Sequence, residues 1–359
     1  MNDLRGVVRT KGIRFFSSSG KSKSHQRAIG RVLHHEWIID GKLVQASSSP
    51  SPSPSTDTDT DTVVFLHGLL GNGKNLRTPA KKLTEETGGA VAALMIDLRG
   101  HGQSAMSERY APPHSIHNCS MDVIDTLKAL HLTGTNSPVG VVGHSFGGRC
   151  ALGYHHTLLK QYQQQASTNT NTSTSTSEST IVLPPKHCWI LDSCPGKVHS
   201  SVANVIAAVS SIQMPISSKK ELVRILTNEK NIDLAIASWM TTNLQKAGQG
   251  QGQGFDFMFD LDVVKDILEN FPQQDMMGML RDCIEMGKNT STIHKIIAAR
   301  NSAWTNDILQ ELETIRRESD DSSSSSSSPP SLNLVTLDAG HWVHIDDLDG
   351  LMKSMTTAF

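Results

Sequence analysis

The sequence predicts an α/β fold, with a doubly wound, mostly parallel sheet and a helical cap inserted between two parts of the core. Seven short apolar runs are the first reason, because runs rich in Val, Ile and Leu are typical of parallel strands buried on both faces. These runs lie at residues 32–39, 63–66, 90–96, 139–142, 187–191, 294–298 and 332–337. Helical periodicity between them is the second reason, as at Val123, Leu127 and Leu130. The third is that strand-like runs stop at residues 196–288, where helical periods dominate.

The predicted organisation has four parts in chain order. They are a transit-peptide-like segment at residues 1–30, the first part of the core at 31–195, the helical cap at 196–290 and the last part of the core at 291–359. Polar low-complexity segments interrupt this pattern, and we expect them to be solvated loops because they have no apolar surface to bury. They lie at residues 47–62, 161–180, 248–254 and 319–331.

The first thirty residues are rich in arginine, lysine and serine and contain a single acidic residue, Asp3. This composition is typical of an organelle transit peptide, and the lack of an apolar segment argues against a secretory signal. The arginine content and the Arg-Phe-Phe-Ser stretch at residues 14–17 favour the mitochondrion, with the matrix as destination, over the plastid or cytoplasm. A basic tail without a targeting role is the alternative interpretation.

The composition also bears on partners and compartment. The chain has 33 Lys and Arg against 35 Asp and Glu, a formal net charge of −2, so it offers no electrostatic basis for a nucleic-acid partner. The cysteines are odd in number and fit no zinc or redox spacing, which predicts a reducing compartment without a disulfide framework. They are Cys119, Cys150, Cys188, Cys194 and Cys283. No apolar run approaches the length of a transmembrane helix, so we expect no integral membrane span.

A candidate nucleophile lies in residues 143–148, Gly-His-Ser-Phe-Gly-Gly, which match the pattern G-x-S-x-G between a predicted strand and a predicted helix. We expect a turn too tight for side chains at Gly143 and Gly147, with Ser145 held in a strained conformation at its tip. Such a turn exposes the Ser145 hydroxyl and directs the N–H of Phe146 into the site. The motif therefore predicts Ser145 as the nucleophile.

A candidate oxyanion loop, His-Gly-Leu-Leu-Gly, occupies residues 67–71 directly after a predicted strand. In this place the N–H of Leu69 would join that of Phe146 to bind an oxyanion. An ordinary loop glycine after a strand is the alternative interpretation of the same residues.

The stretch at residues 97–104, Asp-Leu-Arg-Gly-His-Gly-Gln-Ser, also follows a predicted strand. We expect a rigid structural turn beside the site, without a catalytic role. Asp97 and Arg99 are expected to pair with each other and to cap backbone groups.

The candidate base is His341, within residues 338–344, Asp-Ala-Gly-His-Trp-Val-His. A base must reach the serine from a loop at the carboxyl edge of the sheet, and among 16 histidines His341 alone follows the last strand directly after a glycine. His344 is the rival; three residues further on it should face elsewhere, and we expect it to pack or to contact the cap. The chain order of serine before histidine is the order that G-x-S-x-G hydrolases use.

These segments together resemble the α/β-hydrolase superfamily over about residues 31–359. They resemble more closely the mitochondrial abhydrolase domain-containing protein 11 group and its bacterial esterase relatives. The resemblance rests on the segments Val-Phe-Leu-His-Gly-Leu-Leu-Gly at 64–71, 143–149, Leu-Asp-Ser-Cys-Pro at 191–195, and 340–344. It implies a serine hydrolase that cleaves a small or medium acyl ester or thioester of a small molecule, with no metal or organic cofactor.

The third member of a catalytic triad departs from the common pattern. The usual acid follows the penultimate strand, but residues 298–302, Ala-Ala-Arg-Asn-Ser, contain no carboxylate, and Ser302 should offer only a hydroxyl. The resemblance implies that the acid has moved to Asp192, in the Asp-x-x-Pro turn. Asp262, matching an Asn-Leu-Asp motif of the group, is the alternative. We favour Asp192 because a strand end would hold it rigidly, whereas Asp262 would depend on a mobile cap.

Two further functions compatible with the pattern are a catalytically silent binding protein and a C–C hydrolase or lyase on the same fold. Proteins of the first kind usually lack a triad residue, whereas this chain keeps Ser145 and His341. The acyl group, the leaving group, the choice of ester or thioester and the oligomeric state stay open at this level.

Overall fold

The computed structural model describes residues 32–44, 60–106, 110–168, 180–196, 200–248, 253–321 and 331–359. The predicted transit-peptide-like segment, residues 1–30, lies outside the described residues, as do parts of the four low-complexity segments.

The described strands are, in chain order, β1 His35–Ile39, β2 Lys42–Val44, β3 Asp61–Leu66, β4 Val91–Ile96, β5 Gly140–His144, β6 His187–Leu191, β7 Leu244–Lys246, β8 Phe255–Phe257, β9 Thr292–Ala298 and β10 Leu332–Leu337. The described α-helices are α1 Arg77–Glu86, α2 Ile116–Ala129, α3 Phe146–Thr168, α4 Ser200–Ser210, α5 Lys219–Arg224, α6 Leu234–Met240, α7 Leu261–Asn270, α8 Met276–Met286, α9 Asn306–Asp321, α10 Val343–Asp346 and α11 Leu348–Thr356.

Eight of these strands form one sheet in the order β10-β9-β6-β5-β3-β4-β1-β2. The strands from β10 to β4 run parallel, and β1 is antiparallel to both β4 and β2. Each of the seven apolar runs of the sequence overlaps one strand of this sheet. The predicted doubly wound, mostly parallel sheet is therefore confirmed.

Two apolar cores cover the two faces of the sheet, because alternate residues of each strand point to opposite sides. In β3, Val64 and Leu66 belong to the core beneath α2, α3, α8 and α9, whereas Val63 and Phe65 belong to the core beneath α1 and α11. All four side chains are completely buried. Burial on both faces explains why β3 is a continuous apolar run rather than an alternating one.

The residues between β6 and β9, which we call the insert, carry α4 to α8 and a third apolar cluster of their own. Leu222, Leu226 and Met240 are completely buried in this cluster, and Leu70 joins it from the loop after β3. The last helix of the insert, α8, packs on α3 instead and contributes Leu280 to the main core. The predicted limits of the cap at residues 196 and 290 stay predictions.

Three details differ from the sequence-based expectations. The insert contains a short antiparallel hairpin of β7 and β8, although strands were expected to stop there. Its strands have three residues each, too short to give a recognisable alternation. Helix α3 continues to Thr168 through residues expected to begin a loop at 161, because glutamine is a good helix former. Strand β3 begins at Asp61, inside another predicted loop.

Among the described residues, no helix is both long and apolar enough to cross a membrane.

Candidate active site

The three candidate triad residues meet at one edge of the sheet. Ser145 directly follows β5, Asp192 directly follows β6, and His341 follows β10 in the loop before α10. Because the carboxyl ends of parallel strands lie along the same edge, residues distant in the chain come together there. All three line one cavity of about 610 Å³.

The turn at Ser145 has the strained geometry that the sequence predicts. Its φ of 54° lies in the left-handed region, which costs a non-glycine residue energy and is typical of functional sites. A Cβ at Gly143 would lie 2.1 Å from the carbonyl oxygen of Gly147, and one at Gly147 would lie 2.1 Å from that of Leu66. Both positions therefore require glycine, and the predicted tight turn is confirmed.

The structure brings Asp192 to His341. Oδ2 of Asp192 lies 2.6 Å from Nδ1 of His341, within hydrogen-bond distance. The Asp192 side chain has no exposed surface, whereas that of His341 is 44% exposed. The His341 ring therefore lines the cavity while its Nδ1 contacts a buried carboxylate. Asp192 also has a positive φ, 41°, at the end of β6.

Asp262 lies elsewhere. It is exposed in the first turn of α7, where its own N–H donates to Oδ1 of Asp260 over 3.1 Å. Among the described residues, the carboxylate in contact with the His341 ring is that of Asp192.

Three more donors reach the Asp192 carboxylate. Oδ1 accepts from the indole Nε1–H of Trp304 over 2.5 Å and from the backbone N–H of Ala298 over 3.2 Å. Oδ2 accepts from Nδ2–H of Asn301 over 2.5 Å. These partners were not predicted from the sequence, in which Ser302 was expected to offer only a hydroxyl at this turn. The turn supplies an amide and an indole instead. The one sequence feature that marked this turn as unusual was the lack of a carboxylate after β9.

The loop that carries His341 is held on both sides. The backbone N–H of Gly340 donates to Oδ2 of Asp346 over 2.7 Å, which ties the loop to α10. Arg300, in the turn after β9, forms an ion pair of 2.6 Å with Asp338. Trp342, which directly follows His341, lies 6.1 Å from Trp239 of α6, measured between ring centres.

His144 and His344 lie beside His341 but are buried. Nε2–H of His144 donates to the backbone oxygen of His341 over 2.8 Å, and the His344 ring meets the His144 ring edge-on at 4.6 Å. Burial lowers the pKa of His144 well below its ordinary value and that of His344 to about 4, so both rings are neutral at neutral pH. His344 packs against His144 as expected, and it also lines the cavity.

The candidate oxyanion loop follows β3 and is fixed by His67. Nδ1–H of this ring donates to the backbone oxygen of Gly68 over 2.8 Å, and Nε2 accepts the N–H of Leu98 over 2.9 Å. These partners require the neutral ring, and burial lowers the pKa of His67 in agreement. Leu69 and Phe146, whose amides were singled out, both line the cavity.

A scan for the protein family finds that residues 58–241 match the family described as serine aminopeptidase, S33. This match covers just over half of the chain. The chain belongs to this family of α/β-hydrolases.

Relatives of this hydrolase agree with the assignment. It is 25% identical over 300 residues to the sn-1-specific diacylglycerol lipase ABHD11 of Mus musculus, a match that covers 82% of this chain and 80% of that protein. It is 36% identical over 90 residues to a putative esterase/lipase of Haemophilus influenzae, covering 25% of this chain and 27% of that protein. The predicted relation to the abhydrolase domain-containing protein 11 group is confirmed, and the chain is a hydrolase of the lipase and esterase type.

Solved structures show the same fold. A marine microorganism esterase superposes with a TM-score of 0.58 at 17% identity, covering 91% of this chain and all of that one. The E-2-(acetamidomethylene)succinate hydrolase superposes with a TM-score of 0.55 at 14% identity, covering 83% and 91%. At such identities the likeness concerns the fold alone.

The cavity of the hydrolase is lined mostly by apolar side chains from both the sheet edge and the insert. Phe146 and Trp342 come from the sheet edge, and Val205, Ile236 and Trp239 come from α4 and α6. A volume of about 610 Å³ is in the range of pockets that hold small organic ligands. Among the described residues, no group of three or more His, Cys, Asp or Glu side chains could hold a metal ion.

The turn at residues 97–104 is structural in part as expected. Asp97 accepts the backbone N–H groups of Gly73 and Gln103 over 2.7 and 2.8 Å, which fulfils the predicted capping. The predicted pairing with Arg99 is wrong, because Arg99 pairs over 2.6 Å with Asp122 of α2. The helix residue lies 23 positions further along the chain, beyond the reach of a local pattern.

Proposed function

We propose that this hydrolase cleaves a small or medium acyl ester or thioester through an acyl-enzyme on Ser145. The observation that carries the proposal is the 2.6 Å contact between Asp192 and His341 at the wall of the cavity that Ser145 also lines. A carboxylate, an imidazole and a serine at the carboxyl edge of a sheet form the arrangement used for nucleophilic acyl transfer.

In the first half of the reaction, Oγ of Ser145 attacks the acyl carbonyl carbon while Nε2 of His341 accepts the hydroxyl proton. The carbon–oxygen or carbon–sulfur bond to the leaving group then breaks, and the imidazolium returns the proton to that group. Asp192 holds the proton on Nδ1 of His341, which leaves Nε2 free as the base. It also stabilises the imidazolium as it forms.

The negative charge on the carbonyl oxygen needs hydrogen-bond donors during the attack. We assign the N–H groups of Leu69 and Phe146 to this task, because both residues line the cavity and Phe146 follows the nucleophile. Fixing of the loop by His67, with both ring nitrogens in use, supports a preorganised donor at Leu69. Preorganisation matters because donors already in place need no reorientation as the charge develops.

In the second half, water replaces the leaving group. His341 accepts a proton from water, the hydroxide oxygen bonds to the acyl carbon, and the bond to Oγ of Ser145 breaks with return of the proton. The products are a carboxylic acid and the alcohol or thiol. Every step uses groups of this chain together with water and substrate.

The cavity supports an apolar acyl group of limited length. Its apolar lining stabilises methylene groups by about 0.8 kcal/mol for each one buried. The mouse relative is named as a lipase for diacylglycerol, and an ester of a smaller acyl group fits the same chemistry in a cavity of about 610 Å³.

Hydrolysis of p-nitrophenyl acetate, butyrate and octanoate and of an acyl thioester tests the proposal. We expect turnover of these compounds, which Ser145→Ala should lower to background. The control is Ser354→Ala, which removes a buried hydroxyl from α11 and should keep full activity. Turnover that survives Ser145→Ala would reject Ser145 as the nucleophile. Lack of turnover on all four compounds would leave the C–C hydrolase or the silent binding protein, which a β-diketone substrate and a ligand-binding screen would separate.

We also propose that residues 1–30 direct the protein to the mitochondrial matrix, on the grounds of their arginine-rich, serine-rich and acid-poor composition. A fluorescent reporter fused to residues 1–40 should enter mitochondria, where the transit-peptide-like segment should be removed by proteolysis. A variant leader with its arginines replaced by glutamine should stay in the cytosol. Cytosolic fluorescence of the unaltered fusion would contradict the proposal.

A further inference from the structure

The turn after β9 holds no carboxylate, yet it contacts the Asp192 carboxylate at both oxygens. Trp304 donates to Oδ1 and Asn301 donates to Oδ2, each over 2.5 Å. The backbone N–H of Ala298, at the end of β9, completes the set on Oδ1. His341 shares Oδ2 with Asn301.

We propose that Asn301 and Trp304 are positioning residues that orient the Asp192 carboxylate toward His341. The inference rests on the proposed function, in which Asp192 is the acid of the triad. Asn301 lines the cavity whereas Trp304 does not; in this scheme neither contacts Ser145 or the reacting carbonyl, and both act through Asp192.

A carboxylate attached to a strand end needs such partners for two reasons. Its terminal torsion is broad, so without donors on both oxygens Oδ2 would not stay directed at His341. A buried carboxylate is also costly unless it is hydrogen-bonded, and the Asp192 side chain has no exposed surface. Hydrogen bonds to a charged acceptor are stronger than those between neutral groups.

The turn itself is rigid enough for this role. Oδ1 of Asn301 accepts the N–H of Ala303 over 3.1 Å, and its backbone N–H donates to Ala298 over 3.1 Å. The backbone N–H of Trp304 donates to the carbonyl of Asn301 over 3.2 Å. The Trp304 ring is packed beneath Nζ of Lys295 at 5.1 Å. Both donors are therefore fixed before any substrate arrives.

Separate contacts hold the backbone that follows Asp192. Nζ of Lys295 donates to the carbonyl of Ser193 over 2.8 Å, and the guanidinium of Arg149 donates to those of Cys194 and Gly196 over 2.8 and 2.6 Å. Since the main chain is anchored in this way, removal of the Asn301 or Trp304 donor should act chiefly on the carboxylate. This division makes the role of the two residues measurable.

Trp304→Phe removes the indole donor and keeps an aromatic ring. We expect kcat on the best ester to fall roughly ten- to hundredfold, the value of a hydrogen bond to a charged group, with KM nearly unchanged. The acid limb of the profile of kcat/KM against pH should move to higher pH, because a carboxylate with fewer donors attracts the imidazolium proton more strongly. Asn301→Ala should likewise lower kcat and move the acid limb to higher pH.

Trp189→Phe in β6 is the matched control. Its indole N–H is buried and has no hydrogen-bond partner among the described residues, so it reports the removal of a buried indole alone. This variant should keep the kcat and the pH profile of the unaltered protein. The circular dichroism spectrum of each variant checks folding, and Asn301→Ala, at a partly exposed position, carries the test if Trp304→Phe does not fold.

A double-variant cycle gives the decisive result. In an Asp192→Asn background, Trp304→Phe and Asn301→Ala should cause no further decrease of kcat, because both act through the carboxylate. Independent decreases in that background, or single variants that match Trp189→Phe in kcat and pH profile, would overturn the inference. Failure of the proposed function itself is distinct, since the unaltered protein would then show no hydrolysis that depends on Ser145.

Discussion

The carboxyl edge of the sheet and the insert contribute to the same cavity in different ways. At the sheet edge, Ser145 and Asp192 have positive φ angles of 54° and 41° and follow buried strands. The insert supplies apolar side chains such as Ile236 and Trp239 and packs around a separate apolar cluster. The triad candidates and the donors to Asp192 lie at the edge, whereas the insert adds apolar side chains to a cavity wall that Phe146 and Trp342 of the edge also form.

This contrast separates chemistry from substrate selection. Strained backbone persists only where the surrounding structure stabilises it. At the sheet edge this stabilisation comes from the β-strands and from a hydrogen-bonded carboxylate. The insert joins the main body through contacts such as that of Leu70, which belongs to its cluster. We therefore expect substitutions at the edge to change kcat and substitutions in the insert to change KM and substrate range.

The largest effect should come from the acid. Asp192→Asn is expected to lower kcat by about 10⁴, because an amide holds the wrong tautomer of the imidazole, while the fold persists. Asp262→Asn, the matched change at an exposed position of the insert, should alter kcat less than about threefold. Steady-state kinetics on one ester measures both, and a larger decrease for Asp262→Asn would reverse the contrast between edge and insert.

The next effect concerns the turn at the nucleophile. Gly147→Ala places a Cβ 2.1 Å from the carbonyl oxygen of Leu66, and we expect a decrease of roughly 3 kcal/mol in the free energy of unfolding. Gly196→Ala, whose added Cβ would have its nearest neighbour at 3.6 Å, should cost far less. Urea unfolding of the two variants tests the difference; equal midpoints would show that the turn can relax.

A smaller effect is expected at the insert. Trp239→Ala removes an aromatic ring from the cavity wall, where it lies beside Trp342. We expect kcat/KM for an octanoyl ester to fall about tenfold through KM, because a longer acyl chain then buries less apolar surface, while the acetyl ester changes little. A uniform decrease of kcat for both esters would mean that the insert takes part in the chemistry.

A separate effect, on stability alone, is a pH dependence at Lys295, which is buried in β9. Burial lowers its pKa from 10.5 to about 8, so between these values the unfolded chain binds a proton that the folded chain has released. Stability should therefore rise with pH across this window. Lys295→Met should lack this rise, which urea unfolding at about pH 7.5, 9 and 10 would reveal. Parallel curves for the two proteins would contradict the lowered pKa.

Local patterns were enough to predict seven of the eight strands in the main sheet and the turn at Ser145. The apolar runs predict buried strands directly. The glycines at 143 and 147 indicate a turn that has no room for side chains. The candidate acid required more, since Asp192 was chosen through resemblance to a family. Its contact with His341 spans 149 positions of the chain.

The other long-range partners at this edge could not be predicted from the sequence. Asn301 and Trp304 lie 109 and 112 positions from Asp192, and no periodicity connects a turn to a strand end at such separations. The pairing of Arg99 with Asp122 escaped for the same reason. The neighbouring parallel strands β9, β6 and β5 bring the turn with Asn301 and Trp304 to the same edge as Asp192 and Ser145.

Covalent trapping tests the central claim, that Ser145 is the nucleophile at this edge, most directly. The full chain is treated with a fluorophosphonate, and intact-protein mass spectrometry with peptide mapping locates the adduct. We expect one adduct per chain, on Ser145. It should be absent from Ser145→Ala and should form much more slowly in His341→Ala, which lacks the base. An adduct on another residue, or unimpaired ester hydrolysis by a chain without any adduct, would contradict the claim.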